Sequence, residues 1–342
     1  GSWPEEWTQV LKQVYEDLDN PMSSKRSFRI TPFVADEMFL LSNGELPCFL
    51  FHRYRYEVFP STYRLDDYPP YLQIEPTSIC NFRCVFCYQT DKSFSDKKSS
   101  HMGSMSIDLY KKIVDEIEGN IQFLSLASRG EPLIAPKFAE MMEYSIGKFL
   151  NLKVNTNASL ITEAKCHDLL CGGARTIVFS ADAAEEPLYS QLRVNGKLDR
   201  VLKNIELFQK IRETQYDSLP IISRVSGVLV GETQNMKSMQ SLWGGLVDQI
   251  SFVKYNPWEN VYESPPSHID QPCSDLWRRL FIWFDGTANP CDTDYKSILQ
   301  VGNVQGDSLT KLWRNDAYDL LRKNHLSNKR KKVSPCNRCV VI

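Results

Sequence analysis

Three cysteines fall within eight positions of the stretch ICNFRCVFCYQ: Cys80, Cys84 and Cys87. A structural zinc site normally closes with four ligands, whereas three thiolates on one loop can hold three irons of a cubane cluster and leave the fourth open to a reactant. A zinc loop that borrows a distant ligand is the competing reading. A second set, Cys273, Cys291, Cys336 and Cys339, occupies the C-terminal tail, where CNRC closes it. Four thiolates saturate one metal centre, and a hairpin followed by CxxC suits tetrahedral zinc. Cys166, on a predicted helix, and Cys171, just before a predicted strand, read as small buried hydrophobes. Cys48, in ELPCFLF, is assigned by no pattern, and His101 and His268 lack ligand-type spacing and read as surface residues.

Clustered cysteines point to metal in an intracellular, cytoplasmic chain rather than to a secreted disulfide scaffold. At 342 residues the chain can form two domains, or one large α/β domain with an appendage. A net charge of -2 with scattered cations gives no nucleic-acid footprint. The one basic run, NKRKK at 328–332, is short, lacks interleaved aromatics and reads as a solvated loop. No apolar run approaches the roughly 18 residues of a membrane span, so no membrane partner is expected. The start shows no basic-then-apolar signal segment, and Gly1-Ser2 resembles a cleavage scar.

The elements that must position the thiols become regular at residue 71. Apolar runs YLQIEP, IQFLSLAS, LKVNTN, RTIVFSA, PIISRVSGVLV and QISFVKYN alternate with helical patterns near 106–118, 136–149, 162–170, 198–214 and 235–247. Such alternation predicts a parallel sheet with right-handed crossovers, open or curled into a barrel, with ligands at the carboxyl ends of its strands. Residues 88–105 read as a long loop and Ser106 as the N-cap of the next helix. Upstream, residues 5–18 put Trp7, Val10, Leu11, Val14, Tyr15 and Leu18 on one face of an amphipathic helix. Residues 19–70 hold the strand-like pieces EMFLL and CFLFHRY and belong to an N-terminal extension over part of the main domain. Past residue 256 a Pro-rich connection leads to a hairpin through FDGT and a helix from about 308 to 326. The domains expected are 1–70, 71–256 and 257–342.

Cys80-x3-Cys84-x2-Cys87, with Phe86 before the last cysteine and a strand just upstream, resembles the signature of the radical S-adenosylmethionine (radical SAM) superfamily. The resemblance implies an α/β fold: a partial (β/α)6 barrel with an N-terminal helical extension and a small C-terminal α+β domain. It implies that S-adenosylmethionine chelates the open iron of a 4Fe-4S cluster. One electron from a partner such as flavodoxin or ferredoxin then cleaves it to a 5'-deoxyadenosyl radical, which abstracts a substrate hydrogen. SRGEP at 128–132 resembles the family's Gly-Gly-Glu-Pro stretch, so Gly130 and Glu131 are expected to contact the cofactor ammonium. Arg129 replaces the first glycine and is expected to aim a positive group at the mouth. NTNAS offers Asn155 and Asn157, and FSADA offers Ser180, as a ribose contact, and Asp182. Arg193 matches the arginine that holds the cofactor carboxylate. The tail resembles the twitch domain, the shorter relative of SPASM domains, implying one auxiliary 4Fe-4S cluster on Cys273, Cys291, Cys336 and Cys339. The resemblance covers residues 71–342.

Radical chemistry needs a dry, lidded mouth, for which residues 88–105 and the N-terminal extension are candidates. An auxiliary cluster near the substrate makes net two-electron oxidation feasible, and that requires an acid–base group, for which Arg224 and Tyr255 are candidates. Epimerisation needs a thiol hydrogen donor, for which Cys48 is the spare. The tail spacing resembles that of dehydrogenases acting on aminocyclitols, so a small polyol, sugar or sugar-nucleotide is the expected substrate. The alternatives are maturation of a ribosomally made peptide and a zinc-binding interaction protein without catalysis. Residues 1–70 do not read as a winged-helix leader-binding module.

Overall fold

Apolar and polar side chains alternate along much of the repeat strands, as in β1, β3 and β4, and the computed structural model, which describes residues 5–23 and 27–342, turns this alternation into two sheet faces. Gly1 and Ser2 lie outside the described residues. The strands are β1 (Tyr71–Ile74), β2 (Arg83–Cys84), β3 (Phe123–Leu126), β4 (Asn151–Thr156), β5 (Ala174–Ser180), β6 (Arg193–Val194), β7 (Ile222–Leu229), β8 (Gln249–Lys254), β9 (Arg279–Ile282), β10 (Thr287–Asn289) and β11 (Gly302–Asn303). The helices are α1 (Glu5–Asp19), α2 (Pro32–Phe39), α3 (Leu46–Thr62), α4 (Lys92–Ser95), α5 (Ile107–Ile117), α6 (Phe138–Tyr144), α7 (Glu163–Cys171), α8 (Leu188–Leu192), α9 (Leu198–Gln215), α10 (Met236–Gly244), α11 (Leu309–Trp313) and α12 (Asp316–Leu326). Leu72, Ile74, Leu124, Leu126, Leu152, Val154, Ile177 and Phe179 join the helices in one core. By the two-residue period, Tyr71, Gln73, Ser125, Lys153 and Asn155 turn to the opposite face. That polar face lines the inside of a partial barrel.

Among the described residues the main sheet has nine strands in the order β11-β10-β9-β1-β3-β4-β5-β7-β8. The run β1-β3-β4-β5-β7-β8 is parallel, as the alternation predicts. Helices α5, α7 and α10 start at side-chain caps: Ser106 accepts from Leu109 N, Thr162 from Lys165 N, and Asn235 from Lys237 N and Ser238 N. The hairpin β9–β10 forms through FDGT, but β9 also pairs in parallel with β1, Tyr71 against Arg279. The barrel sheet therefore continues unbroken into the tail. The expected long tail helix is two, α11 and α12, because Asn315 breaks the first and caps the second through Tyr318 N.

The strand-like pieces upstream are helical. EMF closes α2, which Thr31 caps and Pro32 opens, and CFLFHRY lies within α3. Helix α3 is apolar on several sides because it is sandwiched: Phe51 stacks on Trp7 of α1 at 4.0 Å, while the His52 ring stacks on Phe123 at 3.6 Å. Tyr15 leaves the expected face of α1 and is exposed. Phe49 and Val34 cluster with Tyr71 and Phe123, the first residues of β1 and β3, and the Tyr56 hydroxyl accepts from Arg279 Nε (3.0 Å) at the start of β9. The N-terminal helices thus close the amino end of the barrel, opposite the strand ends that carry the thiols, so they plug the floor and do not cover the mouth.

The segment 88–105 is not a free loop either. It folds into a 3-10 turn at Tyr88–Thr90 and α4. Phe94 is buried against Tyr88 and Tyr295, and Asp91 takes Lys296 Nζ (2.6 Å) and the Tyr295 hydroxyl (2.9 Å). Cys166 is buried as expected, but Cys171 ends α7 in an exposed position, its sulfur 3.0 Å from the Tyr216 hydroxyl. Among the described residues no helix is long and apolar enough to cross a membrane.

Candidate active site

Cys80, Cys84 and Cys87 line one cavity of about 430 Å³ at the carboxyl end of the strands. Their loop is pinned from below: Ser78 N donates to Gly103 O (3.0 Å), and the buried Gln89 amide donates to Ser78 O (2.7 Å) and Arg129 O (2.5 Å). A short antiparallel ladder pairs Cys84 of β2 with Arg193 of β6. Burial pushes the Cys80 thiol up to about 12 and raises those of Cys84 and Cys87, so as free thiols they stay protonated, and a metal becomes their ligand partner by displacing those protons. Three soft donors on one cavity wall fit an iron-sulfur cluster. Among the described residues no three His, Cys, Asp or Glu are arranged to hold a single metal ion. A polynuclear cluster, whose thiolates bind different irons, needs no such convergence.

Phe86, Gly130, Glu131, Asn155, Asn157, Ser180, Asp182 and Arg193 line the same cavity. At Gly130 an added Cβ would lie 2.3 Å from Thr77 O and 2.6 Å from Ile79 O, so only glycine lets the two loops touch. Ser128, just upstream, sits at φ +121°, a strained backbone next to the site. Glu131 is buried and accepts from Leu133 N (3.2 Å), Thr156 Oγ1 (2.7 Å) and Asn157 N (2.7 Å). The Asn157 amide donates to Asn81 of the cysteine loop (2.9 Å). Asn155 Oδ1 is buried without a hydrogen-bond partner among the described residues. Asp182 accepts from Val228 N (2.6 Å) and lies 2.5 Å from Arg193 Nε, an ion pair by proximity without hydrogen-bond alignment. Burial opposes the Arg193 charge, but Asp182 and the Cys84 thiol, 3.9 Å from Nη1, hold the guanidinium protonated.

Arg129 departs from expectation. It does not reach into the mouth as a free charge: its Nε and Nη2 grip both oxygens of Glu75 (2.7 and 2.6 Å), and Nη1 donates to Tyr295 O (2.8 Å). The pair is 2 % and 0 % exposed, and the guanidinium lies 4.1 Å from the Trp283 ring centre. It clamps β1 to the tail.

The three acid–base or hydrogen-donor candidates are not brought to the cavity wall. Arg224 is spent on Gln249 Oε1 (2.9 Å from Nε) and on Glu37 of the plug (3.3 Å). The Tyr255 hydroxyl donates to Glu259, and its ring packs beside Phe82 and Phe86, outside the cavity lining. Cys48 sits at the start of α3, in the plug at the amino end of the barrel, where burial raises its thiol to about 11. Pattern reading missed Lys153, Tyr71, Arg279 and Asp292, which do line the cavity. Lys153, a lysine inside an apolar strand, was the legible signal. Asp292 follows Cys291, a position whose direction only the tertiary structure gives.

In the tail, the Cys291 thiol lies within electrostatic reach of Cys339, Cys273 and Cys336, and burial raises all four. The basic run that reads as solvated supplies their staple. Arg330 is 1 % exposed, and its guanidinium donates to Cys336 O (3.2 Å), Gln271 O (2.7 Å), Cys339 O (3.0 Å) and Val341 O (2.7 Å). Four carbonyls replace the water that the run's composition suggests. Buried His325 accepts from Cys273 N (3.2 Å), and burial lowers its ring to about 4.

A parallel partial barrel with three thiols at its mouth and four more in an appended tail defines an iron-sulfur radical enzyme. A family model of the radical SAM superfamily matches residues 74–238, and one of the SPASM iron-sulfur cluster-binding domain matches residues 273–340. The chain belongs to the radical SAM superfamily and carries a SPASM auxiliary-cluster domain, so its cofactors are S-adenosylmethionine and 4Fe-4S clusters. Among curated relatives, the tungsten-containing aldehyde ferredoxin oxidoreductase cofactor-modifying protein of Pyrococcus furiosus is 31% identical over 114 residues, 33% of this chain and 30% of that protein. The AdoMet-dependent heme synthase of Methanosarcina barkeri is 28% identical over 42% of this chain and 40% of its own length. The mycofactocin maturase MftC of Mycobacterium tuberculosis is 29% identical over 41% of this chain and 34% of its own. The chain thus spans 30% to 40% of the length of these relatives. Among solved structures, BtrN in complex with AdoMet and 2-DOIA superposes with a TM-score of 0.55 at 16% identity, over 80% of this chain and 93% of that one. SuiB of Streptococcus suis bound to precursor peptide SuiA gives 0.61 at 16%, over 97% and 82%. At these identities the likeness is one of fold.

Proposed function

We propose that this radical SAM enzyme is an oxidoreductase that converts a carbinol of a small polyol, sugar or sugar-nucleotide into a carbonyl. In this reading Cys80, Cys84 and Cys87 hold the cluster that binds S-adenosylmethionine. Gly130, Glu131, Asn157, Ser180 and Arg193 contact that cofactor, and Cys273, Cys291, Cys336 and Cys339 hold the auxiliary cluster. The bound groups supply a hydrogen-atom acceptor, the 5'-deoxyadenosyl radical, and a one-electron acceptor, which leaves one proton for the chain to take.

One observation carries the choice of reaction. Three carboxyls line the cavity, and Glu131 and Asp182 are spent on the partners given above. Asp292, whose carboxyl accepts from the backbone N–H groups of Asp292 and Thr293 and lies in the field of Arg279, is bonded to no other side chain among the described residues and directly follows Cys291. It is the proposed acceptor of the hydroxyl proton. Epimerisation is less well supported, since its thiol donor Cys48 sits in the plug. A peptide substrate is the second reading, favoured by the likeness to MftC. Against it, residues 5–62, among those described, form helices with no strand for a winged-helix wing.

The test is anaerobic turnover with reductant, S-adenosylmethionine and sugars deuterated at single carbinol carbons. Deuterium in 5'-deoxyadenosine together with a carbonyl product is expected. An inverted alcohol that has gained solvent hydrogen would replace oxidation by epimerisation.

A further inference from the structure

The cavity does not stop beneath the thiols. It runs down the polar inner face of the barrel to Gln73, Lys153, Tyr71 and Arg279. Tyr71 and Arg279 are register partners at the start of β1 and β9, while Lys153 lies in register with Gln73 through Ser125 of β3. The two cations flank one phenol: Lys153 Nζ is 5.2 Å and Arg279 Cζ 5.4 Å from the Tyr71 ring centre. Arg279 has a counterion, Asp275, at 3.5 Å. Lys153 forms no ion pair among the described residues. Half-buried at an inward strand position, this ammonium is bonded to the Tyr71 phenol and has no carboxylate of its own. Burial by itself would raise the Tyr71 phenol, yet Lys153 and Arg279 more than offset that and hold it below its ordinary value, so the local potential is positive.

We infer that this floor binds an anionic group of the substrate, a phosphate or a carboxylate, with Lys153 as its principal contact and Tyr71 and Arg279 beside it. The inference rests on the cavity being the substrate site of the proposed oxidoreductase. It narrows the substrate to an anionic one, such as a sugar phosphate, sugar-nucleotide or sugar acid, and disfavours a cationic aminocyclitol or a neutral polyol. The anion then sits at the amino end of the barrel, and the carbon skeleton extends toward the thiols.

The test is calorimetric titration of the anaerobically reconstituted protein with inorganic phosphate and, separately, with succinate. Saturable one-site binding is expected, with the tighter anion identifying phosphoryl or carboxylate chemistry. Lys153→Met should weaken it roughly ten- to hundred-fold, as for loss of a charge-assisted contact, and Lys153→Arg should restore most of it. A thermal melt checks that each variant is folded. No binding to the unsubstituted protein, or equal binding to a folded Lys153→Met, would overturn the inference and leave the oxidoreductase reading intact. Failure of the unsubstituted protein to oxidise any carbinol, with anion binding preserved, would overturn that reading and leave the anion site standing.

Discussion

At the scale of the residue, the two thiol sets do different work, and substitution separates them. Cys84→Ala removes one of three iron ligands at the cavity and is expected to abolish cleavage of S-adenosylmethionine to 5'-deoxyadenosine. Cys336→Ala removes one ligand of the tail set and should spare some cleavage while impairing substrate turnover. Equal loss in both, measured by chromatography of 5'-deoxyadenosine, would show that the tail cluster is needed for folding. Gly130→Ala forces a methyl group to within 2.3 Å of Thr77 O, so the 77–79 segment must move away from the cavity. A destabilisation of about 1–3 kcal/mol by overpacking, with weaker binding of S-adenosylmethionine, is the expected result in denaturant melts and calorimetry. Gly130 and Glu131 were legible because SRGEP resembles a family motif, although what demands them, Thr77 beside Gly130 and Thr156 and Asn157 on Glu131, lies far off along the chain. Arg129 was not, since its partner Glu75 is 54 positions away in sequence.

At the scale of the element, the plug of α2 and α3 is held to the barrel by Glu37 and Arg224, a pair 187 positions apart. Arg224→Gln should lower the melting temperature by a few degrees, for roughly 1 kcal/mol, and leave cofactor cleavage unchanged. A loss of cleavage in the folded variant would return Arg224 to the reaction. Strands β7 and β8 are tied to α9 through Asp248, which takes Arg212 Nη1 and Nη2 (2.6 and 2.9 Å) and the Ser223 backbone and hydroxyl (2.7 Å each). Burial opposes its charge, but these partners lower its pKa below 3.8. A carboxyl depressed on folding contributes stability above its unfolded pKa and loses it as pH falls through the folded value. The gap in urea midpoint between the unsubstituted protein and Asp248→Ala should therefore hold steady down to about pH 5 and narrow below pH 4. The barrel strands and helices were legible because both faces of each repeat are buried or lined, which imposes a period on the sequence. The helices α2 and α3 were misread as strands because a helix buried on several sides loses its amphipathic period.

At the scale of the whole molecule, barrel and tail form one sheet, locked by the Glu75–Arg129 pair at its centre. Removing one partner of such a pair leaves a buried charge alone. Arg129→Met should cost about 3–5 kcal/mol, and the double change with Glu75→Gln should recover part of it, as read by denaturant unfolding. The anaerobically reconstituted chain should bind about eight irons, the content of two cubane clusters. Zinc in both thiol sets would leave no route to a radical.

Order along the chain was enough to specify the six parallel strands, the place of the first thiols just past β1, and the grouping of four more in the tail, because each depends on neighbours a few residues away. Direction in space was not in that order. Whether Lys153 faces the cavity with no counterion, whether Arg330 meets water or four carbonyls, and whether the N-terminal helices cover the mouth or the floor all depend on segments tens to hundreds of residues apart. Folding alone brings those segments together, since burial chooses each partner after the chain has closed on itself.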